Sequence, residues 1–298
     1  MGRSESIKSG PPTLRLPAFS EAILRRFPLC PARLDLIVNH MDSCCPNVSG
    51  PPVDADRDPV DLSILIPAFN EDACIAAMVR ETACVLHGLG RSFEILVVDD
   101  GSTDLTWPRL NDLRAEVPEL RLVRLAVHSG QSAALGAAFR AARGRIYIAL
   151  DADGQNDPAD IPALVARLDH CDLCCGYRLR RRDVWSRRIG SRLANAVRNR
   201  ILHEKIRDTG CTLKAFRAEW ARTLPMQFRG MHRFIPALLA LAGARVEEIP
   251  VNHRPRSAGQ SKYTNWGRLG ETLRDLWAVR WMQRRYSAIK TVETGWNR

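Results

Sequence analysis

Three carboxylates and two amides crowd into the seven residues Asp151–Asp157, in the stretch ALDADGQNDP that follows the apolar run Ile146–Leu150. Asp151 and Asp153 stand at i and i+2. In an extended segment their side chains would leave on the same side. Two carboxylates converging with the amide oxygen of Gln155 suit a hard divalent cation. Mg²⁺ or Mn²⁺ is commonly held by a few carboxylates and shared with substrate phosphates. The alternatives are a solvated acidic loop and a calcium loop. The EF-hand spacing fails, because no Glu occupies the twelfth position counted from Asp151.

A second acidic pair, Asp99 and Asp100 in VVDDGSTD, ends another apolar run. Open α/β sheets hold ligands at such strand ends, where a carboxylate can accept hydrogen bonds from a nucleobase or ribose. The plainer reading is a turn, with Thr103 capping a helix. Basic residues cluster elsewhere. Eleven Lys and Arg lie between Arg178 and Arg207 against only Asp183 and Glu204. Such one-sided charge suits an anionic surface, either a membrane or nucleic acid. Trp185 is the one aromatic within its most basic stretch, which weakens a single-strand nucleic-acid reading. The polar loop HRPRSAGQSKY carries Arg254, Arg256 and Lys262, cations suited to closing over a phosphorylated substrate.

These groups need a scaffold. Buried strands are expected at Leu62–Phe69, Phe93–Asp100, LRLVRLAV, RIYIALD and CDLCCGYR. Helices are expected at Asn70–His87, Thr103–Glu116, Gly130–Gly144 with a glycine stop, and DPADIPALVARL with proline in its first turn. This alternation predicts an α/β fold with a Rossmann-like, mainly parallel sheet and helices on both faces. After Arg178 the alternation breaks. A basic helix is expected over Val184–Leu202, a strand at CTLKAF, a helix at MHRFIPALLALAG and a strand at RVEEIPVNHRP. An amphipathic helix, Leu269–Tyr286, carries Leu269, Leu273, Leu276, Trp277 and Trp281 with Arg274, Arg280, Arg284 and Arg285.

The 298 residues suffice for one large α/β domain, and the net charge of +11 points to an anionic partner. Nine cysteines form no disulfide framework. Cys74, Cys84, Cys174 and Cys211 fall in apolar patterns, where a free thiol packs as a small hydrophobe. Cys171, Cys174 and Cys175 resemble half a zinc site, but no second pair stands at a usual spacing. A reducing cytosol is expected. No apolar run is long enough to span a bilayer. Residues 1–58, rich in Pro and Ser without periodicity, read as a poorly ordered extension. Met41 offers an alternative start.

Taken in order, SILIPAFNE, VVDDGSTD, HSGQSAALGAAFRAARG and DADGQNDP resemble family 2 glycosyltransferases of the GT-A fold. DTGCTLKAFR, RGMHRFIPALLALAG and RPRSAGQSKY sharpen the resemblance to the polyprenyl-phosphate branch, which includes dolichol-phosphate mannose synthases and undecaprenyl-phosphate sugar transferases. It extends from about Leu62 to Met282. It implies a GT-A catalytic domain over 59–265 and a membrane-proximal helix and tail over 266–298. The implied nucleotide-sugar site comprises Pro67, Phe69, Asn70, Glu71, Asp99, Asp151 and Arg178. Asp151, Asp153 and Gln155 are the implied ligands of Mg²⁺ or Mn²⁺. Asp153, Asp208, Arg256 and Lys262 are the implied catalytic set, with Asp208 organising the acceptor side. Relatives usually carry Leu where this chain has Gly154.

The implied partners are a nucleoside-diphosphate sugar, a polyprenyl phosphate and a membrane surface, with no nucleic acid. Peripheral attachment to the cytoplasmic face, helped by a membrane protein or a second copy, follows from the missing span. A saccharide acceptor is the alternative within the family. A basic nucleic-acid-binding protein would leave the acidic strand ends unexplained.

Overall fold

The computed structural model describes residues 58–179, 195–255 and 265–287; side chains of 265–269 are not described. Seven strands form one sheet in the order β3-β2-β1-β4-β6-β5-β7. These are β1 (Val60–Ala68), β2 (Phe93–Asp99), β3 (Leu120–Arg124), β4 (Gly144–Ala149), β5 (Leu173–Arg178), β6 (Lys214–Arg217) and β7 (Val246–Val251). All neighbours pair in parallel except β6, which runs antiparallel to both β4 and β5. The expected mainly parallel sheet is observed. Its inserted antiparallel strand has a functional consequence. The C-terminal ends of β1, β2, β3 and β4 share one edge, and β6 brings its N-terminal residue there instead. Lys214 therefore sits opposite Ala149 of β4 and Cys175 of β5.

The helices are α1 (Ile75–His87), α2 (Thr106–Leu113), α3 (Gln131–Ala141), α4 (Ile161–Arg167), α5 (Ile235–Leu241) and α6 (Asn265–Arg285), with a further helical stretch over residues 195–202. One face of the sheet packs Ile64, Ile66, Ile95 and Val97 against Ile75, Val79, Leu110 and Leu164 of α1, α2 and α4. The other packs Leu65, Leu96 and Phe216 against Ala134, Ala138, Leu239 and Leu276 of α3, α5 and α6. The side-chain period of two along each strand produces this division.

Several boundaries differ from the sequence expectation for identifiable reasons. Helix α1 begins at Ile75 rather than Asn70, because Asn70 adopts a left-handed φ of 52° that no right-handed helix accommodates. Helix α3 ends at Ala141, so Gly144 is not its stop; it opens β4. A Cβ at Gly144 would lie 2.5 Å from the Ser63 amide nitrogen, so close strand approach requires glycine. Gly144→Ala is expected to destabilise the fold by roughly 1–3 kcal/mol, read as a lowered midpoint in chemical denaturation.

The cysteines are mostly as expected. Cys74, Cys171, Cys174, Cys175 and Cys211 are buried, but Cys84 is exposed, on the outer face of α1. Burial pushes the Cys174 thiol up to about 12 and the Cys175 thiol higher still. These thiols are packing groups at neutral pH rather than thiolate ligands.

Helix α6 is more divided than its amphipathic pattern implies. Leu276 and Val279 are buried against the sheet, while Leu273, Trp277 and Trp281 face outward, both tryptophans 62% exposed. No helix among the described residues is long and apolar enough to cross a membrane.

Candidate active site

The acidic stretch lies at the C-terminal edge of the sheet. Strand β4 ends at Ala149, and the chain turns instead of remaining extended, with Gly154 at a φ of 75°. The simple i, i+2 argument for converging side chains therefore does not apply. The turn itself holds the acids together, and glycine suits its left-handed position. Asp151 accepts from Gln131 Nε2 at 2.9 Å through Oδ1 and from Thr212 Oγ1 at 2.6 Å through Oδ2. Even so, burial and the neighbouring Asp153 charge push its carboxyl up to about 6. Asp153 accepts the Gln155 N–H at 3.1 Å, and the Gln155 carbonyl accepts from the Arg254 N–H.

A buried carboxylate raised by a neighbouring acid is a chemistry that suits a hard divalent cation. Among the described residues, no group of three His, Cys, Asp or Glu side chains is arranged to hold a metal. The third acid of the stretch has a structural task. Asp157 caps the following turn through the Ala159 N–H and accepts from Arg254, which also grips Glu81 through two bonds. Arg254 anchors the stem of the polar loop to the acidic loop. Arg256 and Lys262 lie outside the described residues.

The first strand loop is laced to the second. The Asn70 N–H donates to Ser102 Oγ at 2.9 Å, and Asn70 Oδ1 accepts the Thr103 N–H at 2.8 Å. The Glu71 N–H donates to Thr106 Oγ1. Thr103 is therefore not the helix cap; the Thr106 N–H is taken by Asp104. Asp99 is fully buried, accepting the Ser102 N–H and facing Arg124 Nε at 3.1 Å. Asp100, paired with Asp99 in the sequence but left out of the implied site, has the more direct organising role. It accepts the Ser129 and Gly130 N–H groups, both at 2.7 Å, and lies 2.9 Å from His128 Nδ1. His128 in turn stacks on Phe69 with ring centroids 3.8 Å apart. This is a flat aromatic surface beside the strand ends, suited to a nucleobase.

Between these parts lies a cleft. Its apolar walls are Pro67, Leu135, Ala149, Leu150 and Ile235, and its polar lining is Gln131, Asp151, Thr212, Lys214 and His232. Lys214 is only 3% exposed and donates to the Cys211 carbonyl. The sequence signal for it was a lysine within the apolar run CTLKAF, whose place at the sheet edge depends on the antiparallel pairing.

Arg178 and Asp208 meet at the end of β5. Two guanidinium bonds of 2.6 and 2.9 Å join them, and the Arg178 N–H adds a third contact. Asp208 thereby fixes Arg178 at the edge. The basic segment that follows is not uniformly a surface feature. Arg198 is buried, paired with Glu204 at 3.2 Å and lying over the Phe234 ring. Arg180, Arg181, Arg182, Arg187, Arg188 and Arg192 lie outside the described residues.

The similarities of the chain agree with this architecture. A family model described as glycosyl transferase family 2 matches residues 63–224, more than half of the chain. A dodecaprenyl-phosphate galacturonate synthase from Rhizobium johnstonii is 38% identical over 221 residues, covering 71% of this chain and 65% of that protein. The chain thus spans just under two thirds of that relative's length. Glucosyl-3-phosphoglycerate synthase from Mycobacterium tuberculosis, crystallised with Mn²⁺, UDP and phosphoglyceric acid, aligns with a TM-score of 0.58 at 21% identity over 77% of this chain and 80% of that one. Its complex with Mg²⁺ and UDP aligns with a TM-score of 0.56 at 21% identity, over 75% and 79%. The fold is GT-A, and the chain belongs to glycosyl transferase family 2.

Proposed function

We propose that this protein transfers a sugar from a nucleoside-diphosphate sugar to a polyprenyl phosphate, with a divalent cation and inversion at the anomeric carbon. The observation that carries this reading is the convergence on one sheet edge of the Asp151–Asp153 turn, the Phe69–His128 surface and the Asp208-braced Arg178. The 38% identical polyprenyl-phosphate sugar synthase supports the lipid acceptor. Structural neighbours crystallised with UDP and Mn²⁺ or Mg²⁺ support the nucleotide and the cation.

In this reading Pro67, Phe69, Asn70, Glu71 and Asp99 form the nucleotide end of the site, with Asp99 acting from beneath through the loop that it organises. Asp151 and Asp153 hold the cation, and Gln155 supports the turn between them and the polar loop. When bound, the cation offsets charge that develops on the departing diphosphate. Arg178 positions the acceptor phosphate, with Asp208 fixing its guanidinium. Arg256 and Lys262 supply further cations to the phosphates. A phosphate monoester is already anionic at neutral pH and attacks without a strong general base. Asp208, committed to Arg178, is accordingly a positioning group and not a base. A direct in-line attack inverts the anomeric centre.

A polyprenyl phosphate presents its headgroup at a bilayer surface. The outward stripe Leu273, Trp277 and Trp281, with exposed Arg274, Arg284 and Arg285 on the same helix, suits peripheral docking there. The Trp277→Ala, Trp281→Ala double variant is expected to bind anionic vesicles roughly tenfold more weakly, or less, with its thermal stability retained. Sedimentation with vesicles checks this, and unchanged binding would rule the stripe out as the docking face.

The acceptor class is tested by a donor screen of UDP-sugars and GDP-mannose with Mn²⁺. Nucleotide release should accelerate with undecaprenyl phosphate. Acceleration by oligosaccharides alone would replace the lipid with a saccharide acceptor.

A further inference from the structure

The acidic turn is fixed to the sheet edge at its near end, where Gln131 and Thr212 grip Asp151. Its far end is held from the chain that follows β7. The Arg254 N–H donates to the Gln155 carbonyl at 2.9 Å, and Asn156 pairs with His253 as an isolated antiparallel bridge. Arg254 Nη2 donates to Asp157 Oδ1 at 2.7 Å. The Asn252 N–H donates to Asp160 Oδ2, also at 2.7 Å. Residues 155–160 and 252–254 therefore form one hydrogen-bonded unit. Helix α1 packs against this unit at the 3-10 turn Pro158–Asp160. Glu81 of α1 adds a charged tie, accepting Arg254 Nη1 and Nη2 at 2.8 and 2.7 Å.

Exposed ion pairs usually contribute little, and the Glu81 and Arg254 side chains are 39% and 38% exposed. Two features set this one apart. The pairing is bidentate, which fixes the plane of the guanidinium, and Asp157, only 14% exposed, makes it a network of three charges. Held in that plane, Arg254 commits the third acid of the stretch to a salt bridge. It thereby separates Asp157 from the two acids assigned to the cation. We propose that Glu81, acting through Arg254, positions the acidic turn and so sets how tightly the divalent cation is held there. This rests on the sugar-transfer reading above and adds two positioning residues to it.

The test uses the full chain and two readouts that need no turnover. Electron paramagnetic resonance measures Mn²⁺ binding with UDP present, and mass spectrometry measures amide hydrogen exchange over 151–160 in the protein alone. Arg254→Ala should weaken Mn²⁺ binding roughly tenfold or more, the scale on which groups that orient metal ligands act. Glu81→Gln leaves a neutral acceptor and should weaken it roughly three- to tenfold. Arg254→Lys keeps the charge without the fork and should fall between wild type and Arg254→Ala. Exchange over 151–160 should quicken in each variant, with the strands unchanged, and UDP binding without metal should stay as in wild type. Because Glu81 acts through Arg254, adding Glu81→Gln to Arg254→Ala should cost nothing further. Unchanged Mn²⁺ affinity or unchanged exchange in Glu81→Gln would overturn the proposal. So would additive losses in the double variant, or an equal fall in metal-free UDP binding. If the wild type binds no Mn²⁺ with UDP, the cation reading fails by itself. Exchange then judges the positioning role alone, and protection of 151–160 that persists in Glu81→Gln overturns it.

Discussion

Asp153→Ala is expected to lower kcat/KM for sugar transfer by roughly a thousandfold or more, the scale on which a mispositioned cation forfeits several kcal/mol of transition-state stabilisation. The two acids of the turn are not equivalent. Asp151 is fixed from both sides by Gln131 and Thr212, so replacing it also disturbs α3 and the chain before β6. Asp153 is half-buried on the turn itself and accepts the Gln155 N–H. Asp153→Asn keeps an oxygen for that N–H and removes the charge. Both variants should lose transfer together, while stability falls by about 1 kcal/mol or less, the worth of one ordinary hydrogen bond. Steady-state kinetics with Mn²⁺ varied, alongside thermal unfolding, checks this. Full activity in Asp153→Asn would remove Asp153 from the cation site.

Glu94→Ala should bring the largest loss of stability, roughly 3–5 kcal/mol, as expected when one member of a buried ionic cluster is removed. Glu94 is 1% exposed, at the edge of the sheet opposite the site. It accepts from Ser63 Oγ at 2.5 Å, from the Arg143 N–H at 2.6 Å and from Arg121 Nη1 at 2.6 Å, with Arg143 Nε at 3.1 Å. Ser63 Oγ also accepts the Gly144 N–H. One carboxylate therefore ties β1, β2, β3 and the start of β4 together, and its loss removes the counter-charge of two partly buried arginines.

The cluster also fixes a pH dependence. Burial alone pushes the Glu94 carboxyl up, but the bonds from Ser63, the Arg143 N–H and Arg121 outweigh it, so the net shift is downward. A lowered carboxyl contributes stability that is fully present above its ordinary value of about 4.3 and is lost as pH falls through the folded-state value. The penalty of Glu94→Ala in thermal unfolding should therefore be full at pH 7 and shrink below about pH 4. A penalty independent of pH would show that the carboxylate charge is not what holds the strands.

Much of this site was legible because strands and acids coincide in sequence. Apolar runs ending in VVDD and ALDAD mark both the strand and the place where it opens to a ligand. What stayed hidden depended on long-range pairing. Lys214 reaches the site edge only because β6 inserts antiparallel between β4 and β5, a choice made by tertiary packing and not by the residues of CTLKAF. The Ser132–His232 contact joins elements that no periodicity relates. Asp100 and Asp99 look alike in VVDD, and only the path of the chain at 128–130 gives Asp100 the organising bonds. Arg178 and Asp208 were separate candidates in the sequence, and their mutual clamp was not legible there. Helix α6 showed its tryptophans in sequence, yet which face was covered required the packing of Leu276 and Val279.

The most direct measurement is mass spectrometry of the lipid fraction after the protein is incubated with Mn²⁺, undecaprenyl phosphate and each nucleotide sugar in turn. The expected result is undecaprenyl phosphate heavier by one sugar residue with a single preferred donor, absent with Asp153→Asn. Lipid that keeps its mass with every donor, while an added oligosaccharide gains a sugar, would contradict the polyprenyl-phosphate acceptor.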